Sequence, residues 1–180
     1  MEAIPLPDPE LADDAVVLGP FAEADIDQLA EICVDPEIAR YTFIPTPYLR
    51  HHAVDFVRNQ ERRRRTWESI DLAIRDRDSG ALLGSTGMRV FDLRRGSCEI
   101  GYWVAPQARG QGVAPRAVQL LSGWAIGTLP VTMVELTADE PNAASRRVAE
   151  KAGFKPTSEV RERHAKGRAW RLVVYSLNGA

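Results

Sequence analysis

The spacing of apolar residues shortens to every second position in the middle of the chain, and this predicts β-strands there. Ile70, Leu72 and Ile74 alternate with polar or small residues, and similar alternation continues over Leu82–Asp92 and Ser97–Val104. The turn-forming sequences Asp78-Ser79-Gly80 and Arg94-Arg95-Gly96 separate these three segments. Short turns between consecutive strands predict an antiparallel meander.

Before the meander the pattern favours helices, preceded by one short strand. Ala15 to Leu18 is an apolar run that ends at Gly19-Pro20, and residues 1 to 14 before it are predicted to form a loose N-terminal arm. Asp25 to Cys33 has apolar residues at helical spacing. Thr46-Pro47 is typical of a helix start, because the hydroxyl can cap the helix and proline is favoured at its first position.

After the meander, helices and strands alternate. The pattern predicts helices over Gly112–Ile126 and Asn142–Ala152, and strands over Val131–Thr137, Phe154–Val160 and Ala169–Ser176. This order of elements indicates an α+β fold with one central, mostly antiparallel sheet flanked by helices. Without a repeat or a long linker, residues 15 to 180 are interpreted as a single domain.

Composition and charge exclude several classes of protein. The 180 residues are 44% apolar and 27% charged, with a net charge of -2, which argues against broad binding of nucleic acid. Cys33 and Cys98 have neither metal-site nor disulfide-scaffold spacing, so no metal is expected. The acidic N-terminus lacks signal-peptide features, and no apolar run reaches the roughly 20 residues of a membrane span. A cytoplasmic protein without membrane contact is expected.

The segment Val104–Ala114 has the strongest chemical pattern, because two glycines separate a strand from a helix. Gly110 and Gly112 permit backbone angles that other residues disfavour, so successive N–H groups can point into one concavity. Together with a helix N-terminus they form a phosphate site, and Arg109 adds positive charge. A plain strand-to-helix turn is the alternative at this stage. The spacing fits neither a nucleoside-triphosphate loop nor a dinucleotide fingerprint.

Three segments together resemble the GNAT family, the Gcn5-related N-acetyltransferases. They are the loop above, the strand Cys98–Val104 with Glu-Ile-Gly-Tyr-Trp at its centre, and the segment Asn142–Phe154. The last two are similar to the ribosomal-protein N-terminal acetyltransferase subgroup. The resemblance implies the GNAT fold and direct transfer of an acetyl group from acetyl-coenzyme A to an amine. It also implies coenzyme-binding residues, which are Trp103, Val104, Arg109, Gly110, Gln111, Gly112, Val113, Ala114, Asn142, Ser145 and Arg147.

The resemblance suggests Glu99 and Ser145 as catalytic residues. In an alternating strand Glu99 shares a face with Gly101 and Trp103, so it can line a cleft and act as the base; a solvent-facing glutamate is the alternative. By resemblance, Ser145 is expected to bond or protonate the leaving thiol, although it can equally be an ordinary helix residue. Many GNAT members use a tyrosine further along this helix, where the present chain has Ala149.

Further residues are candidates for the coenzyme and acceptor sites. Asn142 can bind the coenzyme arm or cap its helix, and Val104 is implied as the oxyanion donor through its N–H group. Arg147 is either a phosphate ligand or a solvated helix residue. Tyr41, Phe43 and Trp103 are candidates for contact with the acceptor. The run Arg62–Arg65 is interpreted as a solvated helix face, with a ligand patch as the alternative.

These observations favour an enzyme that acetylates a peptide N-terminal α-amine or a small-molecule amine. A non-catalytic acyl-coenzyme A-binding regulatory module is the alternative, which would need neither Glu99 nor Ser145. A homodimer is a further expectation from the resemblance.

Overall fold

One sheet of eight strands separates two groups of helices in the computed structural model of the protein, which describes residues 2–179. The strands are β1 Leu11–Ala12, β2 Val16–Gly19, β3 Ser69–Asp76, β4 Leu82–Asp92, β5 Ser97–Val104, β6 Met133–Asp139, β7 Lys155–Ala165 and β8 Arg168–Asn178. The helices are α1 Ile26–Ile32, α2 Pro36–Tyr41, α3 Arg50–Arg58, α4 Gln60–Arg65, α5 Val113–Thr128 and α6 Ala143–Lys151, with 3₁₀ turns at Glu23–Asp25 and Pro106–Ala108.

The strand order is β1-β2-β3-β4-β5-β6-β8-β7, and β5 with β6 is the one parallel pair in the described sheet. The predicted meander is confirmed as β3, β4 and β5, each antiparallel to the next. The predicted α+β class with a mostly antiparallel, mixed sheet is therefore confirmed.

Each face of the sheet has its own hydrophobic core. On one face, Ile100 and Leu136 belong to a cluster that includes Leu121 of α5. On the other face, Ala73 belongs to a smaller cluster with Leu29 of α1. Because side chains alternate along a strand, odd-numbered residues of β5 face the group of α1 to α4, and even-numbered residues face α5 and α6.

The helix predicted from Thr46-Pro47 begins only at Arg50. The Thr46 hydroxyl does not cap this helix; it accepts a hydrogen bond of 2.9 Å from Lys166 Nζ in the turn between β7 and β8. Helix α2 is not among the predicted helices, although Asp35-Pro36 is a good start signal: Asp35 Oδ1 accepts a hydrogen bond of 2.9 Å from the Ile38 N–H.

The N-terminal arm is not loose over the part that the structure describes. Ile4 is fully buried, and its N–H donates to the Arg64 carbonyl at 3.0 Å. Further along, β1 pairs with β2, and the Asp13 carboxylate accepts a hydrogen bond of 2.8 Å from Arg116 of α5. The burial of Ile4 supplies an apolar anchor that the acidic, proline-rich composition did not suggest.

The arginine run on α4 is occupied by contacts inside the molecule. Arg62 contacts Glu68, and Arg63 contacts the Phe56 carbonyl and Asp71. Arg64 contacts the Ile4 carbonyl, and Arg65 contacts Glu61. The run therefore braces α4 against the sheet and the N-terminal segment.

Across residues 2–179, no helix has both the length and the apolarity needed to traverse a bilayer.

Candidate active site

The sheet opens between β5 and β6, and a cleft of about 780 Å³ enters at this gap. Parallel pairing extends from Ser97 opposite Met133 to Ile100 opposite Leu136. Beyond that point β5 continues to Val104 paired with β4, and β6 continues to Asp139 paired with β8. The cleft can therefore receive groups from both faces of the sheet, and its volume is in the range of ligand sites.

The loop between β5 and α5 has the backbone conformation predicted from its glycines. Gly110 and Gly112 have φ values of +77° and +78°, in the left-handed region where other residues are strained. Gly112 is the N-cap of α5, and Val113 and Ala114 in the first turn line the cleft. Since the first turn of a helix leaves N–H groups without carbonyl partners, this end of the cleft suits an anion.

The Val104 N–H points into the opening of the sheet. The Ala105 N–H donates to the Leu83 carbonyl at 2.8 Å, and Val104 is the register partner of Gly84. In an antiparallel ladder, hydrogen-bonded and non-bonded pairs alternate, so the Val104 N–H is directed away from β4. It is available as a hydrogen-bond donor on the side where β5 and β6 separate.

Arg109 is held by protein groups, which differs from the expectation of a free cation for phosphate. Its Nη2 lies 2.5 Å from Asp35 Oδ1, and its Nε donates to the Val104 carbonyl at 3.3 Å. Asp35 caps α2, so one guanidinium group links the glycine loop, the end of β5 and α2. The charge of Arg109 is therefore largely balanced by Asp35.

Glu99 lies in the cleft on the face of α1 to α4, with its side chain 22% exposed. Thr137 Oγ1 donates to its Oε1 at 3.3 Å, and Arg161 Nη1 lies 3.8 Å from its Oε2. Burial raises the pKa of Glu99, while Arg89, Thr137 and Arg161 act in the opposite direction. A carboxylate with a raised pKa in a cleft is suited to proton transfer.

Ser145 lies at the first turn of α6, where the sequence analysis expected it. Its N–H donates to Asn142 Oδ1 at 3.0 Å, so Asn142 caps the helix. The Tyr102 hydroxyl donates to Ser145 Oγ at 3.0 Å. Since burial raises the pKa of Tyr102 to about 12, its phenol keeps the proton and can donate it to this hydrogen bond. The proton of Ser145 itself is then free for another acceptor in the cleft.

The other predicted coenzyme residues differ in their access to the cleft. Trp103 and Arg147 line it, and Arg147 has no ion pair with any residue in the described part of the chain. The Gln111 side chain donates to the Gln107 carbonyl at 2.9 Å, so only its backbone remains a candidate ligand. Tyr41 and Phe43 line the cleft from the side of α1 to α4, and we call this part of the cleft the acceptor end.

Tyr102 and three charged residues at the acceptor end also line the cleft, although no local sequence pattern marks them as site residues. Because side chains alternate along β5, Tyr102 faces away from Glu99, but the separated strands let side chains of both faces reach the cleft. Arg63, Asp71 and Arg89 line the acceptor end and come from α4, β3 and β4. The strand register, which places Asp71 opposite Gly87 and Arg89 opposite Glu99, brings these two side chains together, and α4 adds Arg63.

Comparison with known proteins agrees with this geometry. A family model described as an acetyltransferase (GNAT) domain matches residues 15–155. YdaF of Bacillus subtilis, provisionally named a ribosomal N-acetyltransferase, is 32% identical over 99 residues, which are 54% of this chain and 54% of that relative. The match therefore spans about half the length of YdaF.

Two solved structures show the same fold over nearly the whole chain. One, provisionally named a ribosomal-protein-serine acetyltransferase, is from Vibrio cholerae; it has a TM-score of 0.82 at 17% identity and covers 96% of this chain and 99% of its own. The other is RimL, a ribosomal α-N-protein acetyltransferase crystallised with coenzyme A. Its TM-score is 0.82 at 15% identity, with 99% of this chain and 98% of that chain covered.

Proposed function

The chain belongs to the acetyltransferase (GNAT) domain family, and we propose that it transfers the acetyl group of acetyl-coenzyme A directly to a primary amine. The observation that carries this proposal is the opening of the sheet beside Val104. The glycine loop closes one end of that opening, and Glu99 and Ser145 lie on its two sides.

The residues present fit a coenzyme A thioester. The Gly110–Gly112 loop and the N-terminus of α5 would receive the pyrophosphate, as anions favour such N–H groups. The separated edge of β5 up to Val104 would bond the extended arm, and Asn142, Ser145 and Arg147 would border it from α6. When bound, the thioester supplies an acyl carbon activated toward amines.

The transfer needs a neutral amine, an oxyanion donor and a proton for the leaving sulfur. Glu99 would accept the proton of the amine, directly or through one water molecule, because its carboxylate lies in the cleft with a raised pKa. The amine lone pair forms the new C–N bond while the Val104 N–H stabilises the oxyanion. The C–S bond then breaks, and Ser145 Oγ donates to the departing sulfur either a hydrogen bond or a proton, which Ser145 would regain from water.

A peptide N-terminal α-amine is the first acceptor to consider, and a small-molecule amine is the second. The names of YdaF and RimL, which refer to ribosomal proteins, support the first. An α-amine has a pKa of about 8, compared with about 10.4 for lysine, so less free energy is needed to deprotonate it.

Turnover of acetyl-coenzyme A, followed as released thiol over a panel of peptides and small amines, tests the proposal. We expect acceptor-dependent release that is strongly reduced in Glu99→Gln. Tight binding of acetyl-coenzyme A by calorimetry, with no turnover by any acceptor and no effect of Glu99→Gln, would establish the non-catalytic binding module instead.

A cytoplasmic location and a homodimer belong to the same proposal. The two free cysteines, Cys33 and Cys98, are compatible with a reducing compartment. Cell fractionation and sedimentation equilibrium of the purified protein test these two points.

A further inference from the structure

Two arginines share a single carboxylate at the acceptor end of the cleft. Arg63 Nε lies 3.8 Å from Asp71 Oδ2, and Arg89 Nη2 lies 3.8 Å from Asp71 Oδ1. Asp71 is nearly buried, with 9% of its side chain exposed, whereas 48% of the Arg89 side chain is exposed. This group therefore has one more positive charge than negative charge.

Arg63 and Asp71 have other partners that fix them in place. Arg63 Nη2 donates to the Phe56 carbonyl at 2.6 Å, and its guanidinium lies 4.9 Å from the centre of the Phe56 ring. Asp71 Oδ2 accepts a hydrogen bond of 2.7 Å from Ser69 Oγ. By contrast, the Arg89 guanidinium makes no hydrogen bond to any other residue between 2 and 179. Its donors are free for a ligand.

The position of Arg89 places these donors beside the proposed base. Arg89 is the register partner of Glu99, and Gly87 is the partner of Gly101, so all four residues share one face of the sheet. The Arg89 Nη2 lies 3.7 Å from the point that a Cβ at Gly101 would occupy. Its tip therefore lies over the first residue of β5 beyond the end of the β5–β6 pairing.

The other carboxylates at this end of the cleft have cations of their own. Glu37 pairs with Arg40 at 3.6 Å, and Glu68 pairs with Arg62 at 3.0 Å. Glu37 and Glu68 therefore do not neutralise Arg89. Glu99, the register partner of Arg89, has its ion pair with Arg161 at 3.8 Å, although the charge of Arg89 also acts to lower the pKa of Glu99. A guanidinium with free donors next to the reacting centre is suited to a carboxylate, which it can bind through two parallel hydrogen bonds.

We propose that Arg89 binds a carboxylate of the acceptor, so that the preferred acceptors are amines with a carboxylate a few bonds away. This inference rests on the proposed acetyl transfer. The carboxylate has two possible sources, which are the α-carboxylate of a free amino acid and an acidic side chain in the first residues of a peptide. Both place the anion over Gly101 while the amine lies near Glu99.

Matched acceptor pairs test this inference. We would compare kcat/KM for serine with serinamide, and for the peptide amide Ser-Asp-Ala with Ser-Asn-Ala. The wild-type protein is expected to prefer the carboxylate member of at least one pair by about tenfold or more, the size of a charged hydrogen bond. The pair that shows the preference identifies the source of the carboxylate.

Variants at position 89 assign the preference to its side chain. Arg89→Gln should bring the ratio within a pair close to one, and Arg89→Lys should keep part of it. Arg94→Gln removes the same charge from the exposed turn between β4 and β5, so it should leave the ratio unchanged. Thermal unfolding of each variant shows whether the fold is intact.

Binding of the acetylated products by calorimetry, with the protein saturated by coenzyme A, makes the same comparison without turnover. Equal kcat/KM and equal product affinity within both pairs in the wild-type protein would overturn the inference, as would a preference that persists in Arg89→Gln. If no acceptor is turned over but the carboxylate products bind more tightly through Arg89, the anion site stands and the proposed catalysis fails.

Discussion

The Tyr102 hydroxyl donates a hydrogen bond of 3.0 Å to Ser145 Oγ, which joins β5 to the first turn of α6 across the gap in the sheet. Burial raises the pKa of Tyr102 to about 12, so the donor keeps its proton at any ordinary assay pH. Since one lone pair of Ser145 Oγ is occupied, its own proton can be directed into the cleft. We therefore expect Tyr102 to position the Ser145 hydroxyl.

Replacing the two hydroxyls separately and together tests this relationship. Ser145→Ala should lower kcat by about 100-fold, the lower end of general-acid contributions. Tyr102→Phe should lower kcat by roughly threefold to tenfold, because it removes one hydrogen bond that orients Ser145. Steady-state kcat and KM would be measured for both, with KM for acetyl-coenzyme A expected to change little.

The double variant decides whether the two hydroxyls act as a unit. If Tyr102 acts through Ser145, adding Tyr102→Phe to Ser145→Ala should cause no further loss, since interacting residues are not additive. A double variant whose loss equals the product of the two single losses would show that Tyr102 acts independently.

Glu99→Gln separates a catalytic role from a structural one. We expect kcat/KM to fall by about 100-fold, because the base is removed. The raised pKa means that folded Glu99 holds its proton to higher pH than unfolded Glu99 does, so its ionisation reduces stability as pH rises through that interval. At pH 7 to 8, Glu99→Gln should therefore keep or raise the melting temperature.

The pH profile supplies a second readout for Glu99. The acidic limb of kcat/KM should lie above the usual titration range of a glutamate, and it should disappear in Glu99→Gln. Glu61→Gln on the exposed side of α4 is the matched control, with wild-type activity expected. A clear fall in melting temperature with little change in rate would assign Glu99 to structure.

Gly110→Ala tests the glycine loop, and Gly80→Ala is its matched control. Both glycines have positive φ, +77° and +72°, and at neither would a Cβ meet a heavy atom of the described chain within 4 Å. Each alanine should therefore cost about 1 kcal/mol of stability through backbone strain alone. Only Gly110→Ala should also raise KM for acetyl-coenzyme A, by about tenfold, because it distorts the phosphate cradle. Equal KM values in the two variants would argue against the cradle.

Local sequence signals predicted the parts of the fold and the site that depend on neighbouring residues. The strand Ser97–Val104, the cap by Asn142 and the positive φ angles at Gly110 and Gly112 all follow from residue type and spacing. The start of α3 was predicted wrongly from Thr46, because the hydroxyl is engaged by a lysine 120 residues further along the chain.

Relationships between distant segments could not be predicted in this way. Asp71, Arg89 and Glu99 meet through strand register, which the sequence pattern leaves open. Alternation correctly places Tyr102 on the face opposite Glu99, but it does not show where two strands separate, so it does not reveal that Tyr102 reaches the site. The Arg109–Asp35 contact joins residues 74 positions apart, and neither residue has a local feature that indicates the other.

The ion pair between Asp35 and Arg109 provides the last test, because it decides whether Arg109 braces the loop or contacts phosphate. Asp35→Asn keeps a good N-cap for α2 but removes the charge, so it isolates the pair. As the pair is partly exposed, the stability loss should be about 0.5 to 1 kcal/mol.

Burial alone would raise the pKa of Asp35, but hydrogen bonds from Arg109 and the Ile38 N–H lower it overall. The stability difference between wild type and Asp35→Asn should be complete above the usual aspartate pKa and vanish as pH falls through the lowered value. If Arg109 braces the loop, Asp35→Asn and Arg109→Gln should both raise KM for acetyl-coenzyme A by similar factors, since each substitution releases the loop from α2. Tighter binding of acetyl-coenzyme A by Asp35→Asn together with weaker binding by Arg109→Gln would show instead that the freed guanidinium contacts the pyrophosphate directly.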